Sequence, residues 1–236
     1  MKLLALDSSA TSASVAVVED DFVLGEFYIN TKLTHSQTLM TMMKSLFDNT
    51  KINIKDIDAF GVSVGPGSFT GIRIGVSAIK GISYALNKVC IPVSTLHAMA
   101  YNLMGMENSI ICATMDARCE QVYNAFFSVV DGKIKRLTED SAIKIGELKK
   151  YIKNNYSNEI INLVGDGADL CYNKLNAEID NLRLLPGHLI YQRAFGVSQA
   201  GIELYRKGVV LPARDLNPIY LRMPQAQREL KKRVDK

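Results

Sequence analysis

Cysteine is scarce in this sequence, and its spacing excludes the common disulfide and zinc frameworks. The four cysteines are Cys90, Cys112, Cys119 and Cys171. None belongs to a CxxC pair, and the nearest two are seven positions apart. Zinc ribbons and small disulfide-rich domains need closely spaced pairs. We therefore expect buried thiols in a reducing compartment.

The chain also lacks the motifs of metalloenzymes and of serine or cysteine hydrolases. Its three histidines are His35, His97 and His188. A helical zinc site needs a second ligand four residues on, but Leu39 follows His35 and Tyr101 follows His97 at that spacing. No GxSxG elbow is present. We expect no metal site, no catalytic residue and no cofactor.

Long hydrophobic runs are absent as well. No stretch of about 18 consecutive apolar residues occurs, which argues against a membrane span. The apolar residues near the start stop at Asp7, too soon for the hydrophobic region of a signal peptide. We therefore expect a cytoplasmic protein that does not contact a membrane.

Positive charge is in excess, but the excess is confined to one end. Residues 222–236 carry six basic and two acidic side chains, which accounts for the whole net charge of +4. The neutral remainder lacks the basic imbalance of a nucleic-acid binder. We expect the basic run to be a solvated end, and contact with RNA or an acidic partner is the alternative.

The first hundred residues predict a simple order of strands and helices. Apolar runs indicate strands, the first three forming a β-meander, over residues 2–6, 13–18, 22–29, 59–64 and 89–93. Apolar residues at spacings of three and four predict helices over 35–47 and 70–86. Thr34 and Gln37 have the spacing of a capping box at the start of the first helix.

The second half repeats this order. A strand leads into Asp116 as the first strand leads into Asp7, and Gly165-Asp-Gly167 stands where the first half has Gly65-Pro-Gly67. A meander followed by helix–strand units is typical of a ribonuclease-H-like mixed sheet. We predict an α/β, actin-like (ASKHA) fold of two ribonuclease-H-like subdomains with a cleft between them. The predicted boundaries are 1–105 for the N-terminal subdomain, 106–221 for the C-terminal one and 222–236 for a basic tail.

The glycine-rich turn from Gly65 to Gly71 joins a predicted strand to a predicted helix, the usual setting of a phosphate site. Its register fails the P-loop pattern GxxxxGK[ST], because the sixth residue from Gly65 is Thr70. Gly65 and Gly67 are expected to adopt positive φ in a tight turn, with Ser68 or Thr70 capping the helix. We favour the plain turn over a phosphate site.

The helix that follows contains two rows of small residues. Gly71 and Gly75 are four apart, and Ser77, Gly81 and Ala85 form a second row. Glycine costs about 1 kcal/mol in a helix relative to alanine, so such rows indicate that another backbone comes close. An internal packing face and an interface with another chain are equally compatible with the pattern.

Asp7 and the serines and threonine after it are similar to the first phosphate turn of actin-like ATPases, Asp-x-Gly-x-Thr/Ser. Ser9 occupies the glycine position, and the second-half counterpart, Asp116-Ala-Arg118, lacks the glycine too. Side chains at the place where the backbone should approach phosphate argue against ATP turnover.

Four stretches closely resemble the TsaB (YeaZ) family, bacterial proteins of tRNA threonylcarbamoyladenosine biosynthesis. They are LALDSS with the following SVAV, VSVGPGSFTGIRIGVSAIKGISYAL, MDARCEQVY and NPIYLR. The resemblance runs through nearly the whole length and thins between about residues 130 and 195. The central stretch is highly specific to the family.

The resemblance implies the actin-like fold, a cytoplasmic location and no catalysis by this chain. Family members pair with the catalytic relative TsaD, and the pair recruits the ATPase TsaE. The complex transfers a threonylcarbamoyl group to N6 of adenosine 37 in tRNAs that read ANN codons, so contact with tRNA is indirect. Members alone commonly form homodimers. TsaD carries an HxxxH metal pair where this sequence has His97 and Tyr101.

The resemblance also implies that the helices predicted at 35–47 and 70–86 bind the partner. From the spacing of their apolar and small positions we expect the contact residues to be Leu39, Met42, Met43, Leu46, Ile72, Gly75, Val76 and Ile79.

Two other functions stay open at this point. The main alternative is an enzyme in its own right, either an actin-like ATPase or a metalloprotease-like protein. An RNA-binding module that acts through the basic tail is the second alternative.

Overall fold

A computed structural model of the chain describes residues 1–31 and 33–222. The predicted basic tail, 222–236, therefore lies outside the described residues apart from Arg222. Within the described ranges, no helix combines the length and apolar character that a membrane span requires.

The elements alternate much as the sequence predicts. The strands are β1 (Lys2–Asp7), β2 (Ser12–Glu19), β3 (Phe22–Asn30), β4 (Ala59–Gly65), β5 (Val89–Ser94), β6 (Ile110–Asp116), β7 (Gln121–Val130), β8 (Lys133–Arg136), β9 (Ser141–Lys144), β10 (Ile161–Val164), β11 (Leu182–Leu184) and β12 (Leu211–Pro212). The helices are α1 (His35–Thr50), α2 (Phe69–Leu86), α3 (Thr95–Ala100), α4 (Ile145–Asn155), α5 (Ala168–Leu175), α6 (Gly187–Ile190) and α7 (Ala194–Arg206).

Each half of the chain forms a mixed sheet with the same strand order. The first sheet has the order β12-β5-β4-β1-β2-β3, and the second has β11-β10-β6-β7-β8 with β9 also paired to β7. In both sheets an antiparallel meander is extended by strands parallel to its first member. The shared order confirms the predicted repeat and the mixed α/β architecture.

The end of the chain returns to the first sheet, which corrects the predicted extent of the second subdomain, 106–221. Strand β12 pairs antiparallel to β5, with Leu211 opposite Cys90. Helix α7 packs on β1, β2 and β5, and a Cβ at Gly201 would lie 3.1 Å from Leu3 Cδ2. Residues 194–216 thus cover the first sheet, and the two-subdomain division itself stays a prediction.

Both faces of the inner strands β1, β2 and β4 are buried, which explains why these strands are almost continuously apolar, whereas the edge strand β3 is partly exposed. Leu4 and Leu6 of β1 face a core beneath α1 and α2. Leu3 and Ala5 face a second core, which contains α3 and α7 and is shared with the second sheet. Helices α4 and α5 cover the other face of the second sheet.

The two long helices differ in how they begin. The predicted capping box at α1 is wrong: no side chain caps its start, and the Thr34 hydroxyl lies 3.3 Å from the Ser36 hydroxyl instead. At α2 the Ser68 hydroxyl accepts from the Gly71 N–H at 3.2 Å, so Ser68 rather than Thr70 is the cap. The expected burial of the thiols holds for three cysteines, but Cys119 is exposed.

Candidate functional site

The turns that follow β1, β4, β6 and β10 meet at one end of the two sheets, around the predicted glycine turn. Gly65 and Gly67 have φ values of 128° and 154°, so the expected positive φ is confirmed. A Cβ at Gly65 would overlap the carbonyl oxygen of Ile219, and one at Gly67 would overlap that of Ser9. The glycines therefore allow two other backbone segments to reach the turn.

The Asp7 carboxylate lies at the centre of the first turn and is already fully engaged. Its Oδ1 accepts from the Ser9 N–H at 3.0 Å and from the Ser9 hydroxyl at 2.8 Å, and its Oδ2 accepts from the Ser63 hydroxyl. Burial raises the pKa of Asp7, which these hydrogen bonds partly offset. The oxygens that would face a metal-bound phosphate in an actin-like ATPase are held by this chain's own serines.

The gap between the first turn and the start of α2 is also closed. The Ser9 carbonyl accepts from the Ser68 N–H at 2.6 Å. The Ser8 hydroxyl donates to the Gly71 carbonyl at 2.9 Å, which ties the same turn to the first turn of the helix. A phosphate at a helix N-terminus needs free backbone N–H groups. The geometry therefore favours the plain turn over a phosphate site, as the sequence did.

The cleft beside these turns encloses a cavity of about 370 Å³. Asp116 and Asp166 lie on its second-half side. Asp116 Oδ1 accepts from the Arg118 N–H at 2.7 Å, and Oδ2 pairs with the Arg118 guanidinium at 3.2 Å. The counterpart of Asp7 in the second half is thus also engaged by its own loop.

A segment near the end of the chain, residues 219–222, crosses the mouth of the cleft. The Ile219 N–H donates to the Val64 carbonyl at 2.7 Å. The Tyr220 hydroxyl accepts from Arg73 Nε at 2.8 Å, and Arg222 donates to the Ala117 carbonyl. We call residues 219–222 the strap. Sequence reasoning identified NPIYLR as a family motif but gave no sign that it joins the two halves.

Asp166 is a second carboxylate on the second-half side of the cleft. It accepts a hydrogen bond of 3.0 Å from the Gln192 amide. Burial raises the pKa of Asp166 to about 6, and the negative charges of Asp116 and Asp7 add to the effect.

Asp166→Asn is expected to stabilise the folded chain at about pH 7.5 and to change little at about pH 4. The folded pKa of about 6 lies above the ordinary 3.8. The free energy of unfolding therefore falls as the pH rises between these two values, and the whole loss is present above about pH 6. Removing the charge should raise the free energy of unfolding by about 1–3 kcal/mol, and the Tm by about 2–10 °C. Thermal melts at both pH values measure this.

The matched control is Asp180→Asn, which removes an exposed carboxylate and should shift neither melt. If Asp166→Asn melts with the wild type at the higher pH, the buried charge does not oppose folding.

The incomplete metal pair lies elsewhere, on α3. His97 Nε2 is 3.8 Å from Glu203 Oε2, and the Tyr101 hydroxyl donates to the same carboxylate. Among the residues that the structure describes, no three His, Cys, Asp or Glu side chains converge as metal ligands do. Sequence reasoning missed Glu203, which the return of α7 brings to His97 from a hundred residues away. The expected lack of a metal site stays a prediction.

The structure places all eight predicted contact residues inside this chain. They are buried against the first sheet and form most of the helix side of the core under α1 and α2: Leu39, Met42, Met43, Leu46, Ile72, Gly75, Val76 and Ile79. A Cβ at Gly75 would overlap Ser8 Oγ and lie 2.8 Å from Leu6 Cδ2. The first small row thus packs helix on strand. Partner binding by these helices stays a prediction, and it has to use other residues.

The outer face of α1 and α2 contains the second small row. Ser77, Gly81 and Ala85 are exposed, and no atom lies within 4 Å of a Cβ placed at Gly81. Two large apolar side chains are exposed on the same helices, Tyr84 at 77% and Met40 at 53%. We call these five residues the outer patch. The spacing of the second row in the sequence was the signal that could have found it.

A family model and individual relatives of known name both match proteins of tRNA threonylcarbamoyladenosine biosynthesis. A family model described as TsaD, tRNA N6-adenosine threonylcarbamoyltransferase, matches residues 23–181. The chain is 29% identical over 153 residues to the tRNA threonylcarbamoyladenosine biosynthesis protein TsaB of Bacillus subtilis (strain 168), which covers 65% of this chain and 66% of that protein. It is 27% identical over 231 residues to TsaB of Escherichia coli (strain K12), covering 98% of each.

Solved structures agree on the fold. YeaZ from Pseudomonas aeruginosa superposes with a TM-score of 0.77 at 22% identity, covering 93% of this chain and 99% of that one. The ethanolamine utilization protein EutJ from Carboxydothermus hydrogenoformans superposes with a TM-score of 0.51 at 12% identity, covering 87% of this chain and 90% of that one. The fold is α/β and actin-like, as predicted.

Proposed function

Since this chain belongs to the TsaB (YeaZ) proteins of the TsaD family, we propose that it acts in tRNA threonylcarbamoyladenosine biosynthesis as a non-catalytic subunit. In this proposal it pairs with a TsaD homologue in the cytoplasm, and the pair recruits the ATPase TsaE. The complex transfers the threonylcarbamoyl group to N6 of adenosine 37, and this chain contacts the tRNA only indirectly. Without its partner the chain forms a homodimer.

The observation that carries the non-catalytic role is the closed state of the first phosphate turn. Catalysis on a phosphate needs donors and carboxylates that are free to meet the charge that develops. Here Asp7 is held by Ser9 and Ser63, and the Ser68 N–H is bonded to Ser9. Opening this turn would leave a buried carboxylate without partners, which is costly.

The outer patch supports the pairing part of the proposal. Small residues along one side of a helix let a second helix approach closely, and the exposed Tyr84 of α2 and Met40 of α1 supply apolar area. Exposed apolar side chains of this size on two adjacent helices are typical of a face that another protein covers. The buried row at Gly71 and Gly75 gives this surface a rigid backing, since it fixes α2 against the sheet.

The proposal is tested by threonylcarbamoyl transfer in a reaction reconstituted from this chain, the TsaD and TsaE homologues of the same organism, the threonylcarbamoyl adenylate donor and tRNA. The double variant Asp116→Asn, Asp166→Asn removes both carboxylates from the second-half side of the cleft. We expect its transfer rate to stay within about twofold of wild type, because no ionised group of this cleft meets the reacting atoms.

The control is the same reaction without this chain. Its transfer rate should be at least about tenfold lower, because the complex is then incomplete. A double variant that still pairs with TsaD but transfers about a hundredfold more slowly would assign chemistry to this cleft.

A further inference from the structure

A second cavity, of about 700 Å³, lies on the far side of the strap. It is walled by β5 and α3, by helix α7 where it packs on the first sheet, and by β8 and the residues after it from the second sheet. Val64 and Gly65 of the glycine turn reach one edge of this cavity, but Asp7, Asp116 and Asp166 do not line it. The strap contributes to both cavities, through Ile219 and Leu221.

The lining of this cavity includes an imidazole that makes no hydrogen bond to the residues that the structure describes. His97 is 9% exposed, and its ring stacks parallel to the Phe127 ring with the centroids 5.5 Å apart. Within the described part of the chain its nearest carboxylate, Glu203, lies 3.8 Å away, beyond hydrogen-bond distance. Burial lowers the pKa of His97 to about 4, assisted by the charge of Arg136. The neutral ring keeps one N–H donor and one acceptor free.

The carboxylates next to the ring are already engaged. Asp140 accepts from Arg136 at 2.6 Å and from the Ser94 hydroxyl at 2.5 Å. Glu203 accepts from Tyr101 and from the Lys207 ammonium.

The cations of the same wall retain free donors. Arg136 gives one of its terminal nitrogens to Asp140 and to the Thr138 carbonyl, and its guanidinium carbon lies 4.8 Å from the centroid of the Phe127 ring. Its other guanidinium nitrogens make no hydrogen bond to the described residues. Lys207 uses one of its three ammonium hydrogens on Glu203. At the rim, Lys135 and Glu139 are both exposed and of opposite sign. The polar side of the cavity therefore offers hydrogen-bond donors in excess of acceptors.

Part of the cavity lining is apolar. Pro92, Leu204, Ile219 and Leu221 line it, and Ile219 is 54% exposed although it is a large aliphatic residue. A ligand that satisfies both sides has acceptor oxygens at one end and an apolar body at the other.

We propose that this cavity binds a small organic carboxylate, with its oxygens at His97 and Arg136 and its apolar body against Leu204 and Ile219. A carboxylate presents two acceptor oxygens in a plane, which matches the fork of a guanidinium. The negative charges of Asp140 and Glu203 repel a bound carboxylate only weakly, because Asp140 is paired with Arg136 and Glu203 with Lys207. The site is separate from the proposed pairing surface and needs no partner.

Benzoate, benzamide and benzylamine test the proposal, because they share a ring and differ in the head group. Titrated into the full ¹⁵N-labelled chain, benzoate should saturate with a Kd of about 1 mM, a reasonable affinity for nine heavy atoms. The largest NMR shifts should fall on residues around His97 and Arg136. Benzamide should bind at least about tenfold more weakly, and benzylamine should not bind.

Ile219→Asp places a negative charge on the apolar wall at an exposed position and should weaken benzoate at least about tenfold. Val209→Asp adds the same charge at an exposed valine outside the cavity and should leave the Kd unchanged. No saturable binding of benzoate, equal binding of benzamide, or shifts centred on the phosphate turns would each overturn the proposal.

Discussion

Gly81→Arg should prevent pairing with the TsaD homologue while leaving the fold of this chain intact. No atom lies within 4 Å of a Cβ at Gly81, so the side chain extends into solvent in the free chain. In a complex it would stand where a partner helix approaches the row of Ser77, Gly81 and Ala85. We expect affinity to fall at least about 100-fold, because bulk and an unpaired charge at the centre of an interface act together.

Isothermal titration of TsaD with each variant measures this, and circular dichroism checks the fold. The matched control is Gly146→Arg, at another helical glycine with open space around its Cβ, on α4 of the second half. It should pair like the wild type. Wild-type affinity of Gly81→Arg would remove the outer patch from the interface.

Gly75→Leu should destabilise the fold of this chain, whereas Gly81→Arg should affect only the pairing. A Cβ at this position overlaps Ser8 Oγ and meets Leu6 Cδ2 at 2.8 Å. Ser8 also donates to the Gly71 carbonyl, so moving it away breaks a buried hydrogen bond. Overpacking together with that loss should lower the free energy of unfolding by about 3 kcal/mol or more.

Urea denaturation of Gly75→Leu alongside Gly81→Leu separates the two small rows. At the exposed position leucine should raise the free energy of unfolding by up to about 1 kcal/mol, since it is the better helix former. Equal midpoints for the two variants would mean that α2 does not need glycine to pack on β1. This pair of variants also shows why pairing must be tested at Gly81 rather than at Gly75.

Sequence periodicity predicted the elements well but not the direction in which the helices face. The apolar stripes of α1 and α2 form as predicted, and their residues Leu39, Leu46 and Ile79 are buried in the core between these helices and the first sheet. A stripe of large aliphatic residues is normally buried within its own monomer, because a chain that is also stable alone cannot expose it. A surface that binds a partner is exposed to water in the free chain. Small residues such as Gly81 therefore indicated a pairing surface better than the large aliphatic residues did.

Turn chemistry was also local enough to predict. The positive φ values at Gly65 and Gly67 follow from residue type, and spacing narrowed the cap of α2 to Ser68 or Thr70, of which the structure shows Ser68. The closure of the turn by the Ser9 carbonyl was not visible, because it depends on how β1 and β4 are placed side by side.

The second cavity could not be predicted at all. His97, Arg136 and Glu203 lie far apart in the sequence, and two separate events bring them together. Helix α7 returns to cover the first sheet, and β8, at the edge of the second sheet, contributes Ile134 to the core that the two sheets share and Arg136 to the cavity. Both depend on which apolar faces remain uncovered once the sheets have formed, and no local pattern encodes that.

Pairing with TsaD is measured most directly by size-exclusion chromatography with light scattering on an equimolar mixture of the two wild-type proteins at about 10 μM, a concentration at which a stable subunit pair stays associated. We predict one peak whose mass is the sum of TsaD and this 26.1 kDa chain, or a multiple of that sum. Two separate peaks from folded proteins, with this chain eluting alone, would contradict its role as a TsaD subunit.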